Sequence, residues 1–171
     1  TWRKRVPWLL FLMISATFTS VIISSYEDAL AANLVLSSFI PMLMDTGGNS
    51  GSQSSATIIR GLSLGEIRYA DVPRVLFKES AVAMLCGFTL AATNFVKLML
   101  VDHVTMLVAA VVCLTLVVVV LVSNVVGGTL PILAKRLGFD PTVMASPLIT
   151  TIVDAVALII YFNIAKVLLH L

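Results

Sequence analysis

The chain has 171 residues, of which 59% are hydrophobic and 12% charged, and its formal net charge is +2. Soluble domains are roughly 45–50% apolar and about 25% charged, so the composition excludes an ordinary soluble protein. The length leaves room for one membrane domain of about five helices and for no separate soluble domain.

The hydrophobic pattern predicts an all-α membrane protein with five spans in a single transmembrane domain, residues 1–171. The spans cover approximately residues 7–24, 29–59, 75–101, 104–133 and 142–169. The second exceeds one bilayer crossing if it is helical throughout. Pro41, Pro131 and Pro147 lie within or near spans and predict kinks or local breaks.

The fourth span contains two polar or flexible pairs. Ser123-Asn124 and Gly127-Gly128 interrupt an otherwise apolar stretch. The Ser-Asn pair has two interpretations, a contribution to a polar lining or a hydrogen bond between helices.

The basic residues predict the orientation of the chain in the membrane. With the N-terminus in the cytoplasm, nine of the eleven Lys and Arg residues fall on the cytoplasmic side, and only Lys97 and Lys166 fall outside. Loops rich in Lys and Arg favour the cytoplasmic side of a membrane. We therefore expect an inner (plasma) membrane protein with its N-terminus inside and its C-terminus outside.

A polar run inside the second span is the strongest functional signal. Residues 45–55 read Asp-Thr-Gly-Gly-Asn-Ser-Gly-Ser-Gln-Ser-Ser between apolar segments. Such groups need a protein interior or a water-filled path at this depth, because lipid offers no hydrogen bonds. Gly47 and Gly51 form a G-x-x-x-G step for close helix packing, whereas Asn49 and Gln53 carry carbonyl oxygens that suit a cation or its waters.

The last span contains a second intramembrane carboxylate. Asp154 shares a helical stripe with Pro147, Thr150, Thr151, Ala157 and Tyr161. Ionisable groups at such depth are costly and usually functional, so Asp154 and Asp45 together predict a cation pathway.

Other functions fit parts of this pattern. Asp45-Thr46-Gly47 matches the triplet of aspartic proteases, and Asp154 would supply a second carboxylate for a shared-proton dyad. A serine protease would need a histidine in mid-membrane, and His103 and His170 lie at helix ends. A carrier that uses Asp45 or Asp154 as a proton relay is the principal alternative to a channel. We expect no enzyme activity.

The polar run resembles the signature of the MgtE family of magnesium channels and transporters. The residues that carry the resemblance are the stretch from Pro41 to Gln53, then Arg60-Gly61-Leu62 and Gly65-Glu66-Ile67, and in the last span Asp140-Pro141, Ser146-Pro147-Leu148 and Thr151-Ile152-Val153-Asp154. The similarity covers essentially the whole chain.

The resemblance implies a function and a set of site residues. It implies a homodimer with an ion path near the two-fold axis, lined by the second and fifth helices, that conducts Mg²⁺ into the cytoplasm down its electrochemical gradient. Asp154 matches the pore carboxylate, Thr150 a position that lines the site through its backbone carbonyl, and Asn49 the signature Asn. With Asp45 from the polar run, these are the predicted metal-binding residues.

The resemblance also bears on partners. Mn²⁺ and other divalent cations are further candidate ions, the lipid bilayer and a second copy are the expected partners, and no nucleic acid is expected. Full-length members of the family carry a cytosolic N-terminal domain and CBS domains that close the pore. We expect both to be absent here.

Overall fold

The computed structural model describes residues 2–170 and, within that range, all side chains except those of residues 4, 5, 69 and 141–146. Lys4 and Arg5, two of the basic residues behind the predicted orientation, therefore lie outside the described side chains. The helices are α1 (Trp2–Ser25), α2 (Glu27–Ala32), α3 (Ile40–Ser63), α4 (Val72–Leu100), α5 (Met106–Arg136) and α6 (Pro141–Leu169). Two 3₁₀ segments cover Leu34–Phe39 and Tyr69–Asp71.

Four helical segments in the described part of the chain are long and apolar enough to cross a membrane. They are Val6–Ser25, Val72–Leu100, Met106–Arg136 and Pro147–Leu169, and they correspond to the predicted first, third, fourth and fifth spans. The all-α class is confirmed for residues 2–170, and the chain is a multi-pass membrane protein. α3 has 24 residues, a length of roughly 36 Å, but its polar run keeps it out of this group.

Residues 29–59 are not helical throughout. The chain instead forms α2, a 3₁₀ segment and α3, and Asn33 between the first two has an extended φ of −146°. Pro41 lies in the first turn of α3, where its missing N–H costs no helical hydrogen bond. The break predicted near this proline is therefore confirmed, and it makes α3 short enough for one crossing.

The two pairs interrupt the apolar pattern of the fourth span but not its helix, because α5 is continuous through both pairs and through Pro131. Asn124, Gly127 and Gly128 are all buried against other helices, so packing compensates for their low helix propensity. α6 likewise continues through Pro147.

α5 occupies the centre of the bundle and packs against α3, α4 and α6, whereas α1 packs mainly against α6. The contact between α3 and α5 is a backbone contact. A Cβ atom added to Gly127 would overlap the carbonyl of Gly51, and one added to Gly51 would lie 2.9 Å from the carbonyl oxygen of Ser123. Only glycine permits this approach at both positions, as the G-x-x-x-G step predicts.

Candidate ion-binding groove

The four residues predicted to bind the ion line one groove between α3 and α6. α3 presents Asp45 and Asn49, and α6 presents Thr150 and Asp154. The groove has a volume of about 410 Å³, and its remaining lining residues are Ile40, Pro41, Met44 and Gly48. We call it the α3–α6 groove.

The polar groups on the α3 side are held by a local hydrogen bond. Asn49 Nδ2 donates to Asp45 Oδ2 at 3.1 Å, one helical turn away. An amide whose N–H group is directed to a carboxylate offers its carbonyl oxygen to another partner. Asp45 and Asn49 are both exposed in the single chain, so both can meet an ion or its waters.

The α6 side of the groove depends on a close approach at Gly48. A Cβ atom added there would lie 3.2 Å from Thr150 Cγ2, so a larger residue would push α6 away. The Thr150 hydroxyl donates to the Pro147 carbonyl at 2.9 Å, which fixes its side chain against its own helix. Asp154, one turn further along, is only partly buried.

The predicted stripe on α6 divides into two parts. Thr150 and Asp154 line the groove, whereas Ala157 and Tyr161 are buried in the core. The Tyr161 hydroxyl donates to the Leu36 carbonyl at 2.9 Å, so it ties α6 to the 3₁₀ segment before α3. Pro141 and Ser146, which carry part of the resemblance, lie outside the described side chains.

The donor set fits a hydrated ion better than a dehydrated metal centre. Among the described residues, no three His, Cys, Asp or Glu side chains come together to hold a metal. Mg²⁺ keeps several waters and is usually held by one or two carboxylates, which is what the groove provides in Asp45 and Asp154.

A second polar cavity, which the sequence analysis missed, lies on the other side of α3. It has a volume of about 610 Å³ and is lined by residues of α3, α4 and α5. We call it the α3–α4 cavity, and its polar lining residues are Thr46, Asn49, Ser50, Gln53, Ser54, Thr57, Glu79, Thr89 and Asn124. Asn49 lines both this cavity and the α3–α6 groove.

Glu79 is the charged residue of the α3–α4 cavity. Its Oε2 accepts a hydrogen bond from the buried Ser54 hydroxyl at 2.8 Å. In the sequence, Glu79 lies beside Lys78 at the edge of the uncharged part of its span, and nothing there marks it as a site residue. Only the tertiary structure shows that it meets the polar run, because α3 and α4 both pack on α5 and the Ser54 hydroxyl reaches Glu79.

Both interpretations of Asn124 hold. Its Oδ1 accepts a hydrogen bond from the Ser50 hydroxyl at 3.1 Å, which links α5 to α3, and the residue also lines the α3–α4 cavity.

The two cysteines have different surroundings. Cys113 Sγ is 3.4 Å from the Ala91 carbonyl oxygen, and Cys86 is exposed at the α3–α4 cavity.

Residues 40–164 match the model of the MgtE family, which is described as a divalent cation transporter. The chain belongs to the MgtE family. It is 39% identical over 169 residues to a magnesium transporter MgtE of Thermus thermophilus and 33% identical over 167 residues to one of Bacillus subtilis. These alignments cover 99% and 98% of the chain but only 37% of each relative, so the chain spans little more than a third of their length.

The family match covers α3 to α6 almost completely and includes both walls of the groove. The relative from Enterococcus faecalis, also a magnesium transporter MgtE, is 31% identical over 167 residues. The predicted family is therefore confirmed. The named relatives are transporters rather than enzymes.

Proposed function

We propose that this chain forms the ion-conducting part of a Mg²⁺ channel, with Asp154 as the carboxylate that holds the ion. The observation that carries the proposal is the α3–α6 groove, where α3 and α6 bring Asp45, Asn49, Thr150 and Asp154 together. The chain's membership of a divalent cation transporter family supports the class of substrate.

The proposed mechanism follows from the hydration of Mg²⁺. This ion loses water reluctantly and prefers near-octahedral geometry, so a partly hydrated ion would pass. Six waters occupy about 180 Å³ at roughly 30 Å³ each, which the 410 Å³ groove accommodates. Asp154 would attract the ion directly or through water, and Asn49 and the Thr150 carbonyl would hold its hydration shell. Binding must stay weak enough for the ion to leave.

Exposed polar groups support the proposed homodimer. Asp45 and Asn49, and also Gln53 and Thr57 further along α3, are exposed in the single chain. Lipid cannot solvate these groups, so they require water or a second protein surface. A two-fold axis beside α3 would place two Asp154 side chains around one water-filled path and double the attraction for a divalent cation.

We further propose that α3 also crosses the membrane, which brings the number of crossings to five. Its roughly 36 Å exceeds the ~30 Å hydrocarbon core, and its polar side chains line the groove and the cavity. With α1 starting in the cytoplasm, α3 then runs inward, α6 runs outward, and Mg²⁺ enters down its gradient.

Ion flux into liposomes tests this proposal. Purified chain is reconstituted with a Mg²⁺-sensitive dye inside, and flux is followed with and without a proton gradient, then with Mn²⁺ and Ca²⁺. We expect Mg²⁺ influx that needs no proton gradient and disappears in Asp154→Asn. Flux that depends on the proton gradient would establish the carrier instead, and Mg²⁺ flux unaffected by Asp154→Asn would refute the pore carboxylate.

A further inference from the structure

We propose that the α3–α4 cavity is a second binding station for a hydrated divalent cation, with Glu79 as its carboxylate. The inference rests on the proposed function, because it adds a station to the same ion path. It stands on observations separate from the α3–α6 groove: another cavity, another helix and another charged residue.

The charge of Glu79 is the first argument. Among the side chains that the structure describes, no basic group pairs with Glu79 within 4.0 Å. Lys135, a basic residue of α5, instead donates to the Leu62 carbonyl at 3.0 Å. An ionised carboxylate inside a membrane protein needs a compensating charge, and a cation in the cavity would supply it.

The depth of Glu79 places it within the membrane. It lies seven residues after Val72, the first residue of α4, so it is about 10 Å along that helix. Its partner Ser54 is nine residues from Ser63 at the end of α3, about 14 Å away. The proposed orientation puts both helix ends at the cytoplasmic face, so the cavity lies in the inner half of the bilayer.

The size and lining of the cavity select a hydrated ion. A volume of 610 Å³ is more than three times the ~180 Å³ of six waters. The amide side chains of Asn49, Gln53 and Asn124 line the same cavity as the carboxylate, and their oxygen acceptors and N–H donors suit waters held by an ion. A single carboxylate with retained waters is a typical Mg²⁺ arrangement.

Asn49 connects the cavity to the groove. Its side chain lines both spaces, and Asp45, its hydrogen-bond partner, lies in the groove. An ion leaving Asp154 toward the cytoplasm would therefore pass Asn49 and next meet Glu79. Two stations along one path let an incoming ion displace the previous one, as conduction requires.

Cys86 provides a native reporter inside the cavity. It is exposed, it lines the cavity, and it lies seven residues after Glu79 on the same face of α4. In a Cys113→Ala background, a small cationic methanethiosulfonate reagent labels Cys86 alone. We expect Mg²⁺ to slow this labelling several-fold, to do so equally with Asp154→Asn added, and to have no effect with Glu79→Gln added.

Mn²⁺ binding gives an independent readout. Bound Mn²⁺ is counted by electron paramagnetic resonance for the Asp154→Asn, Glu79→Gln and doubly substituted proteins. We expect each single variant to lose one of two groups of bound ions and the double variant to lose both. Gln retains an oxygen acceptor for the Ser54 hydroxyl, so the fold should survive, and Glu66→Gln in the exposed loop before α4 is the matched control.

The outcomes separate the two proposals. Mg²⁺ protection of Cys86 that persists in Glu79→Gln, or Mn²⁺ binding that Glu79→Gln leaves unchanged, overturns the second station. If Glu79→Gln does not fold, Cys86 labelling of the protein with native Glu79 still tests the second station. Absence of Mg²⁺ protection in that protein also overturns the second station. Protection without any Mg²⁺ flux upholds the station and refutes the proposed channel.

Discussion

The contact between α3 and α5 and the contact between α3 and α6 share one helix but differ in what fills them. At the α5 side, Gly51 and Gly127 bring two backbones together with no room for a Cβ atom. At the α6 side, Asp45 and Asp154 line an open groove of about 410 Å³. The seven residues from Asp45 to Gly51 contribute to both the α3–α5 contact and the α3–α6 contact.

This difference shows how a polar sequence is accommodated in a membrane bundle. Gly47 and Gly51 hold α3 close to the central helix, while Asp45 and Asn49 line the groove. Packing at one surface thus fixes the position of the ligands at the other. Substitutions at the two surfaces should therefore change different properties, stability at the first and ion transport at the second.

The largest effect is expected from Gly51→Leu. The added Cβ atom alone would lie 2.9 Å from the Ser123 carbonyl oxygen, so α3 and α5 must separate. Overpacking costs about 1–3 kcal/mol or more, and we expect a lower unfolding temperature and less folded protein in detergent. Ala56→Leu adds similar bulk at an exposed position of α3 and should leave unfolding unchanged. Equal stability of the two variants would contradict a rigid backbone contact.

The next effect is the loss of transport in Asp154→Asn. The substitution removes a charge at nearly constant shape, so the unfolding temperature and the oligomeric state should be retained while Mg²⁺ flux falls to background. Both are measured on the same purified protein, by thermal unfolding and by the liposome assay. Glu66→Gln removes an exposed charge in the loop before α4 and serves as control. Flux and stability that fall together would assign Asp154 to packing rather than to the pore.

A smaller effect is expected from Asn49→Ala. The change removes the amide that donates to Asp45 and that lies between the groove and the cavity, so flux should fall several-fold with little change in stability. Asn163→Ala removes an exposed amide of α6 that bonds Tyr26 and should not affect flux. If Asn49→Ala unfolds the protein as Gly51→Leu does, the division between the two surfaces of α3 is wrong.

The smallest effect is expected from Asp45→Asn, which tests whether the two carboxylates of the groove act in sequence. Asp45 lies five residues, about 8 Å, from the start of α3, whereas Asp154 lies 13 residues, about 20 Å, from the start of α6. If Asp45 attracts the ion and Asp154 holds it, flux in Asp45→Asn should be low at low Mg²⁺ and recover as Mg²⁺ rises. Asp154→Asn should not recover.

A companion variant sharpens this last test. Asp28→Asn removes an exposed acid of α2 that does not line the groove. The acidic turn at Glu27 and Asp28 is either a mouth that concentrates cations or ordinary solvated surface. Recovery at high Mg²⁺ for Asp45→Asn alone would favour a specific first station, and the same behaviour in Asp28→Asn would indicate general surface attraction.

The sequence by itself determined the membrane class, four of the spans, the family and the residues of the groove. The reason is that lipid excludes unpaired polar groups, so Asp45, Asn49 and Asp154 stand out against their apolar surroundings without reference to any partner. Pro41 likewise predicted a local break in the second span, and α3 begins beside it, because a missing N–H costs no helical hydrogen bond in the first turn of a helix.

Only the tertiary structure decided what each polar residue faces. The continuity of α5 depends on Gly127 fitting against Gly51, and the role of Glu79 depends on Ser54, which lies 25 positions earlier in the chain. Helical periodicity describes one helix at a time, whereas these contacts are set by how separate helices cross. Glu79, which the sequence did not identify, lines the α3–α4 cavity because α3 and α4 both pack on α5 and leave this space between them.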